Sequence, residues 1–350
     1  MRRNAIGIVL LFASALPLLG QLAPEPDAPP AEGTSAVSRQ QRQLPSAPPV
    51  ATFQASANLV NLYFVARNKH GALVPDLTRD DCAIYEDNVL QTVQSFAARS
   101  DRPLTLGILL DTSRSQQRVL PMEQQAGDAF LKRVLRPGDE AFLMSFDVDV
   151  DLLADLTSNP AELRRAMDKA QINSSSGNFS VGTVPSIGKP KGTLLYDAVY
   201  LASQDKLAQE SGRKALLLLT DGQDEGSQKR LQDAIESAQK ADAVLYVLLI
   251  ADKGVLGMFD LSGVGAMRKL ADATGGQVFS IGSDGKKMQG AFSEIESELR
   301  TQYRASYTPT NNKMDGAYRS IRVACTQHGQ PLRVQARQGY YAIPHTATGR

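Results

Sequence analysis

Four uninterrupted apolar runs, Leu104–Leu110, Ala141–Phe146, Ala215–Thr220 and Ala243–Ile250, constrain this chain more than any other feature. A strand that faces water on one side alternates apolar and polar residues, so a continuous run is expected of a strand covered on both faces. Amphipathic stretches of helical spacing lie around these runs, near 121–135, 160–171, 194–209, 228–240, 263–273 and 288–302. Asp-Gly, Pro-Gly and Gly-Gly pairs punctuate the joins. Strands alternating with helices wind into a mostly parallel α/β sheet with helices on both faces. Val148–Leu153 follows its predecessor too closely for a crossover helix and is expected as one antiparallel edge strand. Residues 103–308 thus read as a doubly wound, Rossmann-like domain.

The flanks have a different period. Leu59, Asn61, Tyr63 and Val65 alternate with Val60, Leu62 and Phe64, which reads as a strand, and a turn follows at Lys69-His70-Gly71. Cys82, Ile84, Val89, Val93 and Phe96 continue in short strands, with a tight turn at Asp87-Asn88. This is too little chain to close a sandwich alone. The C-terminal stretch supplies matching material in Ile321, Val323 and Cys325, then Leu332, Val334 and Ala336, then Tyr340-Tyr341. Residues 53–98 and 317–343 are therefore expected to form one small β-sandwich-like domain, with the larger domain inserted between them. Cys82 shares a strand face with Ile84, and Cys325 shares one with Ile321 and Val323, so both point inward. In an exported protein such a pair forms a disulfide; otherwise it stays as two small buried thiols.

Export is what the N-terminus suggests. Arg2 and Arg3 precede an apolar run from Ala5 to Leu19, with small residues at Ala13, Ala15 and Gly20, the pattern of a signal peptide over residues 1–20. The run is interrupted by Pro17 and is short of the roughly 20 residues that a bilayer span needs. Cleavage is placed near Gly20, with Ala15 as the alternative. Residues 21–52 follow as a proline-rich tether with no hydrophobic period.

Composition removes several function classes. Basic and acidic residues number 38 and 37, without a basic run, which argues against holding nucleic acid by its phosphates. Tryptophan is absent and aromatics make up 6%, a poor basis for a stacking platform. Two cysteines and three histidines (His70, His328 and His345, read as surface) cannot build a zinc site of ordinary spacing.

In an open α/β sheet, ligands sit beyond the carboxyl ends of the strands, where the strand order reverses. Leu104–Leu110 runs into Asp111-Thr112-Ser113-Arg114-Ser115, and Ala215–Thr220 runs into Asp221-Gly222. The first spacing sets a carboxylate and two hydroxyls at alternate positions of a short loop. Oxygen-only donors of this kind suit a hard cation such as Mg²⁺.

Taken with Thr193 in Gly192-Thr193-Leu194-Leu195-Tyr196-Asp197-Ala198 and with Leu219-Thr220-Asp221-Gly222, the Asp111-x-Ser113-x-Ser115 loop resembles a von Willebrand factor type A (vWA) domain and its metal-ion-dependent adhesion site, or MIDAS. The resemblance implies that Ser113 and Ser115 bind the metal directly, and Thr193 directly or through water. It implies that Asp111 and Asp221 act mostly through water, and that the sixth position is left for a partner's Glu or Asp. Mg²⁺ is the implied ion, with Mn²⁺ or Ca²⁺ as alternatives.

The rest of the chain, over residues 55–343, resembles exported bacterial proteins with a vWA-related domain, abundant in Acidobacteria. The shared segments are Leu73-Val74-Pro75-Asp76-Leu77, Ile84-Tyr85-Glu86-Asp87, Leu135-Arg136-Pro137-Gly138-Asp139, Tyr307-Thr308-Pro309-Thr310 and Gly339-Tyr340-Tyr341-Ala342. One departure stands out: Arg114 occupies a position where that family usually has Gly. It removes no ligand, but a long cation there could compete with the metal or help hold an acidic partner. Asn173–Lys191, rich in Ser and Gly, is read either as a recognition loop on the metal face or as a solvated excursion.

Other carboxylates receive plainer readings. Asp147, Asp149 and Asp151 imitate the start of a calcium loop, but Leu152 stands where Gly is needed and Ser158 where Glu is needed. They are read as solvent-facing strand residues, and Asp224 and Glu225 as loop surface.

The expected function is a non-enzymatic, metal-dependent protein-binding or adhesion module, exported to the periplasm, cell surface or medium. Its partner would present Asp or Glu, with self-association among the options, and neither nucleic acid nor a membrane span in the mature chain is expected. One alternative is a structural envelope protein whose metal only staples loops. A magnesium-dependent hydrolase is the other, since haloacid-dehalogenase-like phosphatases keep a nucleophilic Asp at the end of the first strand. Those enzymes need a second Asp two residues on, where this chain has Ser113. No Gly-x-Ser-x-Gly elbow, Walker loop or His-Glu-x-x-His helix is present.

Overall fold

A computed structural model describes residues 59–98, 102–172, 192–250 and 261–343. The segments expected as a signal peptide (1–20) and a proline-rich tether (21–52), and the Asn173–Lys191 segment, lie outside the described residues. All described residues belong to one unit, Ser56–Arg350.

In chain order the first four strands are β1 (Val60–Arg67), β2 (Cys82–Glu86), β3 (Val89–Leu90) and β4 (Val93–Ala97). The alternating part follows as β5 (Leu104–Asp111), α1 (Leu120–Val134), β6 (Glu140–Phe146), β7 (Val150–Thr157) and α2 (Pro160–Lys169). It continues through α3 (Leu195–Leu201), β8 (Arg213–Thr220), α4 (Leu231–Lys240), β9 (Ala243–Leu249), α5 (Leu261–Thr274), β10 (Val278–Ser280) and α6 (Gly285–Thr301). The chain closes with β11 (Tyr303–Tyr307), β12 (Tyr318–Gln327), β13 (Gln330–Pro331), β14 (Arg333–Ala336) and β15 (Gly339–Tyr341).

Six strands form the central sheet in the order β10-β9-β8-β5-β6-β7, all parallel except β7, which pairs antiparallel with β6 at the edge. The fold is thus α/β, with a mostly parallel sheet and flanking antiparallel sheets. The apolar runs have the reason expected of them, since every residue of β5 and of β9 is buried. On one face Leu106, Ile108 and Leu110 pack against α1, α2 and α6, through Phe130, Leu163 and Phe292. On the other, Leu109, Leu216 and Leu218 meet α3, α4 and α5, through Val199, Ala234 and Leu270. Phe130 and Phe292 stack with ring centroids 4.6 Å apart, and burying each such ring contributes about 1.5–3 kcal/mol.

Two details of this half differ from the sequence reading. The edge strand is Val150–Thr157 rather than Val148–Leu153, and the 194–209 helix is α-helical only to Leu201, passing into a π-helical stretch at Ala202–Leu207. Among the described residues no helix is long and apolar enough to cross a membrane.

The flanking strands make two further sheets, β14-β1-β11-β4 and β13-β12-β2-β3, with β15 paired to β12. They share one core of Leu62, Phe64, Ile84, Tyr303, Tyr307 and Ile321. Strand β11 was placed with the larger domain by its position before residue 308; it pairs instead with β1 and β4. Its aromatic residues Tyr303 and Tyr307, both fully buried, are what the smaller core lacked. Asp87 and Asn88 both have positive φ, 47° and 66°, as a tight two-residue hairpin between β2 and β3 requires.

Cys82 and Cys325 lie directly opposite each other in the β2–β12 ladder and are joined as a disulfide. Arg67 of β1 donates to Glu298 of α6, and to Glu294 at 2.7 Å, while Gln277 donates to Glu298 at 2.8 Å. This part-buried network ties β1 to α6, the last helix of the α/β half.

Candidate metal centre

Strand order reverses beside β5. The chain leaves β5 through α1 to β6 on one side, and later returns to β8 on the other. The carboxyl ends of β5 and β8 therefore flank the crevice where ligands of such sheets bind. Asp111 is the last residue of β5, Thr220 the last of β8, and Asp221 follows it.

Asp111 is fully buried behind the loop. Its Oδ2 accepts from the Thr220 hydroxyl at 2.7 Å, and its Oδ1 accepts from the Ser113 N–H at 3.0 Å. Burial raises its pKa to about 7; hydrogen bonds from Ser113 and Thr220 oppose that rise, and the charge of Asp221 adds to it. After Ser113, extended at φ −63° and ψ 160°, the chain enters a short 3₁₀ helix at Arg114–Arg118. This turn sets the hydroxyl oxygens of half-buried Ser113 and exposed Ser115 3.0 Å apart, close to the buried carboxylate.

Two other loops close on this one. The Thr112 hydroxyl donates to Asp147 Oδ2 at 2.7 Å, and the Asp147 carbonyl accepts from the Leu194 N–H at 2.8 Å. Next to Leu194, Thr193 is buried, and its carbonyl accepts from the Glu225 N–H at 3.1 Å. Gly192 permits that approach, because a Cβ there would stand 2.5 Å from Glu225 Oε2. Half-buried Asp221 accepts from the Gln223 N–H at 3.0 Å. At Gly222 the backbone turns at φ +85°, a conformation that favours glycine. The loops carrying Asp111, Ser113 and Ser115, Thr193, and Asp221 are thus joined by hydrogen bonds among protein groups. All five side chains offer oxygen, and among the described residues no three His, Cys, Asp or Glu side chains gather as an alternative cage.

Several residues here were not read from the sequence. Asp147 is a fastener between loops rather than a solvent-facing strand residue. Asp224, read as loop surface, accepts from the Tyr196 N–H at 3.2 Å and from the Ser227 hydroxyl, and so holds the start of α3. Thr220 orients Asp111 across the sheet. Glu123 and Gln116 are buried beside this loop with unpartnered oxygens. Glu123 did leave a local signal, since it occupies the buried stripe of α1 with Leu120, Ala126, Phe130 and Val134. Arg114 is exposed beside the hydroxyl pair.

No protein-family model matches the chain, and neither does any curated protein. Solved structures with a similar course include a von Willebrand factor type A protein from Catenulispora acidiphila, at 13% identity and TM-score 0.46, covering 85% of this chain and 76% of that one. Another is the conserved hypothetical protein BatB from Bacteroides thetaiotaomicron, at 16% identity and TM-score 0.43, covering 56% and 98%. A third is proximal thread matrix protein 1 from the mussel byssus, with a zinc-occupied MIDAS motif, at 16% identity and TM-score 0.45, covering 61% of this chain and 50% of that one. At 13–16% identity these likenesses carry no residue's role across.

Proposed function

We propose that this chain is an exported vWA-type binding module that captures an acidic side chain of a partner protein through a divalent cation. Asp111, Ser113, Ser115, Thr193 and Asp221 would hold the ion, Mg²⁺ first, with Mn²⁺ or Ca²⁺ as substitutes. The observation that carries this reading is the Ser113–Ser115 hydroxyl pair close to a buried Asp111 at the strand-order reversal. A cation held mainly by neutral hydroxyls keeps most of its charge for an incoming carboxylate. The protein's part is to orient: Thr220 and the Ser113 N–H fix Asp111, and the 3₁₀ turn aims the two hydroxyls.

The domain plan belongs to the same proposal: a signal peptide, a tether, and a vWA domain inserted into a β-sandwich that also takes in β11. A disulfide between Cys82 and Cys325 fits an oxidising compartment outside the cytoplasm. The loops around the centre are already tied through Thr112, Asp147, Leu194 and Glu225, which favours an ion that binds over one that only staples. Against a phosphatase, Ser113 cannot serve as the second carboxylate.

The test is capture from cell-envelope extract by the mature protein, with Mg²⁺ and with EDTA, beside Ser113→Ala. Partners lost in EDTA and in the variant support the reading. The same partners held in EDTA would reject it.

A further inference from the structure

Glu123 is fully buried, and neither carboxylate oxygen has a partner among the described residues. Among the described residues it is the one carboxylate with both oxygens in this condition. Nothing about α1 requires a charge there, because the stripe it occupies is otherwise Leu, Ala, Gly, Phe and Val packed on the sheet. A buried ionised group without donors is costly, so such a residue calls for a compensating group.

Its surroundings say where that group belongs. Glu123 lies close enough to Asp111 to feel its charge; burial first, and then that charge, push its carboxyl up to about 8. Gln116, on the loop between Ser115 and α1, is also buried, and its Oε1 is likewise unpartnered. Its Nε2 faces the Ser115 hydroxyl at 3.5 Å. Acceptors with no donors thus collect behind the one loop that presents the hydroxyl pair. More acceptors do not relieve this; positive charge does.

We propose that Glu123 is a positioning residue of the metal centre, supplying from behind the loop a third negative charge, after Asp111 and Asp221, that raises its affinity for a divalent cation. The inference rests on the reading that Asp111, Ser113, Ser115, Thr193 and Asp221 hold the ion. It adds a residue two turns of chain beyond the Asp-x-Ser-x-Ser loop. Its role parallels that of the outer carboxylates that tune metal ligands elsewhere. It also gives the buried carboxyl a reason: its ionisation is costly in the cation-free protein and compensated in the loaded one.

The experiment is Mn²⁺ titration of the full disulfide-bonded chain at pH 8, followed by calorimetry, for the wild type, Ser113→Ala, Glu123→Gln and Glu123→Asp, with a thermal melt of each in EDTA. Glu123→Gln is expected to weaken Mn²⁺ binding about 10–100-fold, while its melting point in EDTA is unchanged or raised because the buried charge is gone. A purely structural Glu123 would lower the melt and leave the affinity alone, which would overturn the proposal. Should Glu123→Gln also melt lower, Glu123→Asp decides: recovered affinity supports the proposal, and affinity as weak as that of the Gln variant overturns it. Wild-type affinity in Glu123→Gln, with binding lost in Ser113→Ala, overturns this proposal and leaves the metal centre standing. No Mn²⁺ binding by the wild type overturns both.

Discussion

Two glutamates lie almost wholly out of water, one in each half of the molecule. In the sandwich, Glu86 is 2% exposed, and its Oε2 accepts from the Tyr307 hydroxyl at 2.8 Å and the Tyr340 hydroxyl at 3.0 Å. In the α/β half, Glu123 is 0% exposed and accepts from no described residue. Burial is the same and provision is opposite. Where a fold needs a buried carboxylate for its own architecture, donors come with it, as Glu86 has its tyrosines and Glu298 has Arg67 and Gln277. Where one is left without donors, as Glu123 is among the described residues, the proposed cation is the partner it would take.

The comparison can be broken in several ways, and the largest effect should come from the sandwich. Cys82→Ser with Cys325→Ser removes the bridge that holds β2 to β12, and should lower stability by about 2–5 kcal/mol in a chemical denaturation curve. Metal affinity in the native state should not change, because the bridge belongs to the other half. A coupled loss of affinity would show that the halves do not act separately. Next comes Tyr307→Phe, which takes one of the two donors from Glu86 and should cost about 1–3 kcal/mol. The matching truncation near Glu123 does not exist, there being no donor among the described residues to remove.

A third test uses pH. The carboxyls of Asp111 and Glu123 sit near 7 and 8, against ordinary values of 3.8 and 4.5. The folded, cation-free protein therefore keeps protons that the unfolded chain releases. Their contribution to stability is greatest below about pH 4 and is lost as pH rises towards about 8. Melts in EDTA should fall between pH 5 and 8, and saturating Mg²⁺ should flatten that fall. Equal slopes with and without Mg²⁺ would mean that no cation reaches these groups. The smallest effect belongs to Arg114→Gly: the side chain is exposed, so stability should stay within about 0.5 kcal/mol. Mn²⁺ titration of that variant then reads the competition between the guanidinium and the ion directly.

Legibility in the sequence followed burial and range. Strands β5, β8 and β9 are covered on both faces, so their apolar runs could be read outright. Strand β10, three residues long, has no period to read. Tyr303–Tyr307 lies directly after a helix, and its pairing with β1 joins residues some 240 positions apart, for which no local pattern exists. The same holds at the site. Asp111, Ser113 and Ser115 announce themselves by adjacency, whereas Thr220 reaches Asp111 across 109 positions through strand order. Asp147 looked like an exposed strand residue because its partners, Thr112 and Leu194, belong to other loops. Glu123 was visible as a charge on an apolar stripe, but only burial and unpartnered oxygens give that oddity meaning.

The Cys82–Cys325 pairing also sets an order of events during biogenesis. The two cysteines are 243 positions apart; β1 finds both of its partner strands after residue 302, and β2, beyond its hairpin with β3, pairs with β12. The six-stranded sheet and its helices, whose contacts are mutual, can condense while β1 waits with its apolar faces uncovered. At roughly 5–20 residues per second of synthesis the wait is on the order of ten seconds or more, and non-local pairing of this kind is slow besides. The last strands to emerge act as the closing piece, and oxidation of the two thiols marks a finished molecule. A chain cut short between Thr301 and Cys325 would keep every residue of the proposed centre but never seal the collar that carries it.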